Sequence, residues 1–244
     1  MNLPKIVSRE EWRDARVALL AEEKAHTRAR DALSERRRQL PMVLVDKPYE
    51  FEGPAGRVGL LDLFEGRGQL IVQHLMFGPG WEAPCSGCSY HADNVGQLAH
   101  LNARDTTFAA VSRAPLAELE AFRERIGWTF PWYSSFGSDF NYDFHVTLDE
   151  SVAPIEWNYR NKEELAEAGL GFIAEMDELN GLSVFLRDGE QVFHTYTTYG
   201  RGVDTLLNTY NYLDLTPLGR REGWGGTPDL DGKGMDWIRH HDRY

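Results

Sequence analysis

The sequence predicts an α/β fold in which a central mixed sheet is flanked by helices. Strand-like and helix-like segments alternate between residues 69 and 126, which favours parallel strands joined by right-handed crossovers. Two further strand-like segments, 182–187 and 191–196, are joined through Asp188-Gly189, a strong hairpin signal. The 244 residues suit one elaborated domain or two small ones, and the apolar fraction of 42% can supply a core.

A long N-terminal helix is predicted over residues 8–40. Ser8 and Glu11 fit a capping box, and neither glycine nor proline interrupts the segment before Pro41. A seven-residue repeat runs along it through Trp12, Leu19, His26, Leu33 and Leu40. The intervening heptad positions are poor, so we favour a helix lying across the main domain or across a second subunit over a coiled coil. A homodimer is therefore one expected assembly.

The remaining elements are expected in a definite order. The first elements are short strands at 42–45 and 49–51, a turn at 53–56 and a helical turn within 58–64. Next come a strand at 69–77, a helix at 85–102, a strand at 106–111 and a helix at 115–126. After an insert come a short helix at 161–168, the hairpin and a helix at 203–213. We expect 69–77 to be the central strand, because it is apolar on both faces. This is the element order of the thioredoxin fold.

Three regions are expected along the chain. Residues 1–41 form an N-terminal helical extension, 42–222 a thioredoxin-like domain with an insert at about 128–180, and 223–244 a C-terminal tail extended on the surface. The insert is rich in aromatic residues: Trp128, Phe130, Trp132, Tyr133, Phe136, Phe140, Tyr142 and Phe144. These residues either fill the core from an irregular loop or line a substrate surface, and the sequence leaves both readings open.

Charge and hydropathy exclude several classes of function. The 38 acidic and 26 basic residues give a formal charge of −12, which repels nucleic acids and anionic lipids. The longest apolar runs fall far short of a membrane span, and the N-terminus lacks the apolar region of a signal peptide. We therefore expect a cytoplasmic, soluble protein with no nucleic-acid or membrane partner.

The only two cysteines form the motif Cys85-Ser86-Gly87-Cys88 after a predicted strand and at the start of a predicted helix. The free N–H groups and the dipole at a helix start stabilise a thiolate, which is the nucleophilic form of cysteine. One helical turn brings Cys88 within disulfide reach of Cys85, so the second thiol can resolve a mixed disulfide made by the first. A bridge this short does little to stabilise a fold, which favours a chemical role.

Other interpretations of the two cysteines remain open. Cys85, Cys88 and His91 could supply three metal ligands to a non-enzymatic redox or metal sensor, although structural zinc usually has four. The thiols could also be inert. Haem attachment would need histidine directly after Cys88, where Ser89 stands. No cofactor is expected.

Nearly the whole chain resembles the bacterial DUF899 family, described as predicted thioredoxin-like dithiol–disulfide oxidoreductases. The most specific stretches are residues 69–93, with Pro84-Cys85-Ser86-Gly87-Cys88-Ser89, residues 135–144 around Ser138-Asp139-Phe140-Asn141, and residues 184–222. The resemblance implies a thioredoxin-like fold and a thiol–disulfide oxidoreductase, acting on a disulfide or peroxide with a dithiol reductant.

Two wider resemblances differ in detail. Residues 66–77, Val111-Ser112 and Phe130-Pro131 look similar to peroxiredoxins, which place Thr or Ser three residues before the reactive cysteine, whereas Glu82 stands there. Thioredoxins place a cis-proline before the hairpin, where this chain has Glu178-Leu179-Asn180-Gly181. A thiol peroxidase is therefore a second alternative function.

The expected site has named roles. Cys85 is the nucleophile and Cys88 the resolving thiol, and Trp81 and Pro84 shape the approach to Cys85. His91, about two turns into the helix, would tune a thiolate if its ring faces the loop. Arg201 is a weaker candidate for charge near the site, since it also fits a surface residue at a helix start.

Overall fold

The computed structural model describes residues 4–223 and 234–244. Within these residues the strands are β1 (Val43–Leu44), β2 (Glu50–Gly53), β3 (Gly56–Gly59), β4 (Gln69–His74), β5 (Thr106–Ser112), β6 (Trp132–Ser134), β7 (Glu156–Trp157), β8 (Arg160–Asn161), β9 (Gly181–Asp188) and β10 (Gln191–Tyr199). The α-helices are α1 (Arg9–Arg38), α2 (Ser86–Asp93), α3 (Ala99–Asn102), α4 (Leu116–Ile126), α5 (Phe140–Asp143), α6 (Lys162–Glu167) and α7 (Asn208–Leu213).

The main sheet has the strand order β1-β10-β9-β4-β5-β6-β2-β3. Strands β4 and β5 are parallel, as are β5 and β6, whereas β9 is antiparallel to both β4 and β10. The four strands β10-β9-β4-β5, with helix α2 between β4 and β5 and a hairpin closing β9 to β10, make this a thioredoxin-like fold. The predicted fold class and the interior position of β4 are confirmed.

Each face of the sheet carries its own hydrophobic core. Leu70 and Val72 of β4 pack with Phe140 and Phe185 on one face. Phe108 of β5 packs on the other face with residues of α2 and α4. Because successive strand residues point to opposite faces, Leu70 and Val72 of β4 pack in the first core, and Ile71 between them packs against the second.

The aromatic insert is chiefly core material. Trp132 and Phe140 are fully buried, and Trp132 lies in β6, which extends the main sheet beside β5. Phe136 is exposed. The core-filling interpretation therefore holds for most of these residues, and the sequence analysis missed β6 because a three-residue strand leaves almost no periodic signal.

Helix α1 forms as expected but has no buried residue. The Ser8 side chain accepts from the Glu11 N–H at 3.2 Å, and the Glu11 carboxylate accepts from the Ser8 N–H at 2.9 Å, completing the capping box. The chain itself leaves the apolar residues of the heptad repeat largely uncovered: Trp12 is 49% and Leu19 50% exposed. A homodimer through this helix stays a prediction.

Several boundaries differ from expectation. The helix expected at 85–102 is two helices, α2 and α3, because Gly96 adopts a φ of +71° that helices do not use. The helix expected at 203–213 is a 3-10 helix over Gly200–Leu206 followed by α7. Strand β3 lies where only a turn and a helical segment were predicted. Residues 234–244 of the expected tail contact the body, and residues 224–233 of that tail lie outside the described residues.

Among residues 4–223 and 234–244, no helix combines the length and apolar character needed to cross a membrane.

Candidate active site

The cysteine motif begins helix α2, where the chain returns to the sheet after the loop at 78–84. Cys85 is the N-cap residue of α2, and its N–H donates to the Met76 carbonyl at 2.9 Å. One turn on, the Cys88 carbonyl accepts from the buried Gln73 amide at 3.1 Å. Strand β4 and the segment that follows it thus hold both cysteines, which gives the buried Gln73 side chain a role in positioning α2.

The two thiols are free and differ in environment. Cys85 is partly exposed, whereas Cys88 is 5% exposed. The thiol of Cys88 donates to the Cys85 sulfur and is the main reason that the pKa of Cys85 falls to about 6. Burial opposes this change, but the N–H groups of Cys88 and Gly87 also point to the sulfur and lower the pKa. Cys85 is therefore largely a thiolate near neutral pH.

The pKa of Cys88 changes in the opposite direction. Its pKa is raised well above 9.0, because it donates its proton to Cys85 and because it is buried; the N–H of Met76 offsets only part of this rise. Cys88 thus keeps its proton while Cys85 is ionised. This asymmetry is the one expected when the first cysteine attacks and the second resolves.

Trp81 and Pro84 lie in the loop before Cys85, as the sequence analysis proposed. The Trp81 indole packs so closely on Gly78 that a Cβ added there would lie 3.0 Å from its Nε1 atom. Trp81 and Cys85 both pack on the core cluster that includes Cys88. Gly78 is therefore required for the close approach of Trp81.

The C-terminal segment adds a residue that the sequence analysis missed. His240 Nε2 donates to the carbonyl of Pro84 at 3.0 Å, next to the nucleophile, and its positive charge when protonated lowers the pKa of Cys85 further. The segment is also held by a hydrogen bond between His241 Nδ1 and the Asp93 carboxylate at 2.8 Å. No spacing rule connects positions 156 residues apart, so the sequence contained no signal for this contact.

A buried ion pair lies beside the cysteine loop, at the place where thioredoxins have a cis-proline. Glu178 is 3% exposed, and its carboxylate accepts from Arg113 at 3.0 Å and from the Thr147 hydroxyl at 2.9 Å. Burial raises the pKa of Glu178 to about 7, although Arg113 acts in the opposite direction. No peptide bond in the described residues is cis.

The pair borders a cavity of about 580 Å³, here called the loop cavity, whose walls include Gly78, Trp81 and Arg113. The cavity opens beside the loop at 78–84 that precedes the cysteines. Four acidic residues also line it: Asp149, Glu150, Asp177 and Glu178. The net charge of the walls therefore disfavours anionic ligands.

Two of the predicted site residues, His91 and Arg201, do not line the loop cavity. The ring of His91 is 6% exposed and lines a different cavity, between α2 and the hairpin, and burial lowers its pKa to about 4. Arg201 lies in the 3-10 helix after β10, exposed and ion-paired with Asp204 at 3.1 Å. Among the residues that the structure describes, no group of three or more His, Cys, Asp or Glu side chains is placed to hold a metal ion. His91 is thus not gathered with the cysteines into a metal centre.

Comparisons with known proteins give a family and distant structural likenesses. The model of a family described as "Bacterial protein of unknown function (DUF899)" matches residues 1–244. No curated protein matches the sequence.

Two of the structural likenesses are to redox proteins. A Xanthomonas campestris peroxiredoxin Q mutant is 12% identical, with 71% of this chain and 98% of that chain covered and a TM-score of 0.41. A secreted disulfide oxidoreductase from Mycobacterium tuberculosis is 13% identical, with 66% of this chain and 92% of that chain covered and a TM-score of 0.36. Scores this low do not identify a function, so the activity must come from the site itself.

Proposed function

Because the chain belongs to the DUF899 family of bacterial proteins of unknown function, its activity must be inferred from its own chemistry, and we propose that it is a dithiol–disulfide oxidoreductase. One observation carries the proposal: the Cys85 sulfur, partly exposed at the start of α2, accepts hydrogen bonds from the thiol of Cys88 and from two backbone N–H groups. These donors stabilise a thiolate, and the resolving thiol is already in contact with it.

The reaction follows from this arrangement. The Cys85 thiolate attacks one sulfur of a substrate disulfide, forming a mixed disulfide and releasing the other sulfur as a thiolate. Cys88 then gives up its proton and attacks the Cys85 sulfur, which releases the second substrate thiolate and leaves a Cys85–Cys88 disulfide. A dithiol reductant returns both cysteines to thiols, so that two electrons pass from the reductant to the substrate.

The surroundings of the site support specific roles for its neighbours. Trp81 and Pro84 shape the approach to Cys85, and the loop cavity beside them has room for the substrate group next to the disulfide. We place the activity in a reducing compartment such as the cytoplasm, where a cysteine pair is kept as thiols and its disulfide is transient.

The proposal is tested by steady-state turnover of bis(2-hydroxyethyl) disulfide, a neutral substrate that the acidic walls do not repel, with dithiothreitol as reductant. We expect Cys85→Ser to abolish turnover, and Cys88→Ser to accumulate a mixed disulfide on Cys85 that mass spectrometry of peptides detects. Cys85→Ser should accumulate no such adduct. An adduct that forms only in Cys85→Ser would reverse the two roles.

Hydrogen peroxide provides the second arm of the assay. In a peroxidase reaction, Cys85 attacks a peroxide oxygen and gives a sulfenic acid and water. Cys88 then attacks the sulfenic acid, which forms the same disulfide and releases a second water. Faster turnover with peroxide than with the disulfide would assign a thiol peroxidase. Stoichiometric zinc in the purified protein, together with cysteines that resist alkylation, would instead assign a metal sensor. Turnover of the disulfide alone supports the oxidoreductase.

A further inference from the structure

A second cavity lies between α2 and the hairpin strands β9 and β10, on the face of the sheet that α2 covers. This hairpin cavity has a volume of about 420 Å³, within the usual range for small-molecule sites. Its floor is one row of residues paired across four strands, Tyr196, Val184, Ile71 and Phe108. The 3-10 helix after the hairpin and the first residue of α7 supply further walls of the cavity: Gly202, Thr205, Leu206 and Asn208.

One polar side chain in the wall lacks a partner. His91 is 6% exposed and lines the cavity, yet no hydrogen bond to its ring is made by any residue of the described ranges. Burial lowers its pKa to about 4, so the ring is neutral at pH 7 and carries one donor and one acceptor nitrogen. Neither ring nitrogen is fully enclosed by the protein, so a ligand atom in the cavity can reach and hydrogen-bond to the ring.

The charge of the walls is equally distinctive. Among the described residues that line the cavity, Arg37 in the last turn of α1 is the only charged one, and none is a carboxylate. Its guanidinium lies 5.6 Å from the centre of the Tyr196 ring, and no ion pair joins it to a carboxylate of the described residues. In a chain with a formal charge of −12, Arg37 and the flanking Arg36 and Arg38 make this end of α1 locally positive, which favours a negative group at the cavity.

From these observations we propose that the hairpin cavity binds a small monocarboxylate with an apolar body. The apolar body lies on the floor formed by Ile71, Phe108 and Val184, where burial drives binding. The carboxylate pairs with Arg37, and the ring of His91 hydrogen-bonds to an oxygen of the ligand. The site is separate from the loop cavity, and the proposal does not depend on any redox activity of the cysteines.

The test is calorimetric titration of the full reduced chain with decanoate. We expect saturable one-to-one binding, about tenfold weaker in Arg37→Gln because a charge-assisted contact is lost. Arg38→Gln is the matched control: it removes the neighbouring charge from α1, does not line the cavity and should leave the affinity unchanged. Decyltrimethylammonium, with the same apolar length and opposite charge, should not bind.

Two further variants address the interior of the cavity. His91→Phe keeps the volume of the ring but removes its nitrogen atoms, and it should weaken decanoate binding severalfold. Val184→Phe adds a ring to the floor and should abolish binding. Thermal unfolding of each variant establishes that it is folded.

Absence of saturable decanoate binding by the wild-type chain would overturn the proposal. Equal binding of the carboxylate and the ammonium, or equal effects of the substitutions at residues 37 and 38, would also overturn it. If decanoate fails to bind and the chain sediments as a dimer that Val184→Phe dissociates, the cavity is instead an interface between two copies.

Discussion

Removing the thiol of Cys88 should make Cys85 markedly less acidic. The fall in the pKa of Cys85 from an ordinary 9.0 to about 6 corresponds to on the order of 4 kcal/mol in favour of the thiolate, and the Cys88 thiol is its largest cause. A hydrogen bond to a charged acceptor contributes about 1.5–3 kcal/mol. Cys88→Ala should therefore raise the pKa of Cys85 by about one to two pH units.

The assay is the rate of alkylation of Cys85 by iodoacetamide as a function of pH, located by peptide mass spectrometry. Only the thiolate reacts, so the rate should rise as the pH rises through about 6 in the wild type and through a higher pH in Cys88→Ala. Cys88→Ser retains a hydroxyl donor and should lie between the two. An alkylation midpoint near 9 in the wild type, or one that Cys88→Ala leaves unmoved, would refute the reasoning.

Two other predictions concern segments far from the motif in sequence. His240→Ala removes the donor to the Pro84 carbonyl and a ring whose protonated form lowers the pKa of Cys85, so the alkylation midpoint of Cys85 should rise by a fraction of a pH unit. His241→Ala should leave the midpoint unchanged, and equal effects of both would show that His240 acts only by holding the segment. Deletion of residues 1–40 should convert a homodimer to a monomer, because it removes the uncovered apolar stripe of α1. Sedimentation velocity measures the change, and a truncated chain that remains a dimer would contradict the prediction.

The sequence predicted the centre of the fold well, because its signals are local. The branched apolar residues of β4, the Asp188-Gly189 turn and the capping box of Ser8 each act within a few residues, and each predicted its element correctly. The position of Cys85 at the start of α2 follows from the same local pattern.

The parts that the sequence did not predict depend on contacts distant in the chain. The placement of His240 against the cysteine loop, and of Arg113 against Glu178, results from packing that no spacing reports. The orientation of His91 could not be predicted either: position alone does not tell which side of a short helix faces the loop, and its ring lies in the hairpin cavity. The positive φ of Gly96, which separates α2 from α3, was likewise not indicated by the spacing of apolar residues.

The contact between His240 and Pro84 also bears on how the protein is made. Ribosomes add residues in order, so Cys85 and Cys88 leave the exit tunnel long before residue 240 has been synthesised. During that interval helix α2 can form with its two cysteines in place. The Pro84 carbonyl in the preceding loop still lacks the His240 donor that it has in the finished protein. The nascent chain therefore carries a cysteine pair whose surroundings are incomplete, and the small contribution of His240 to the acidity of Cys85 is added only when the C-terminal segment docks.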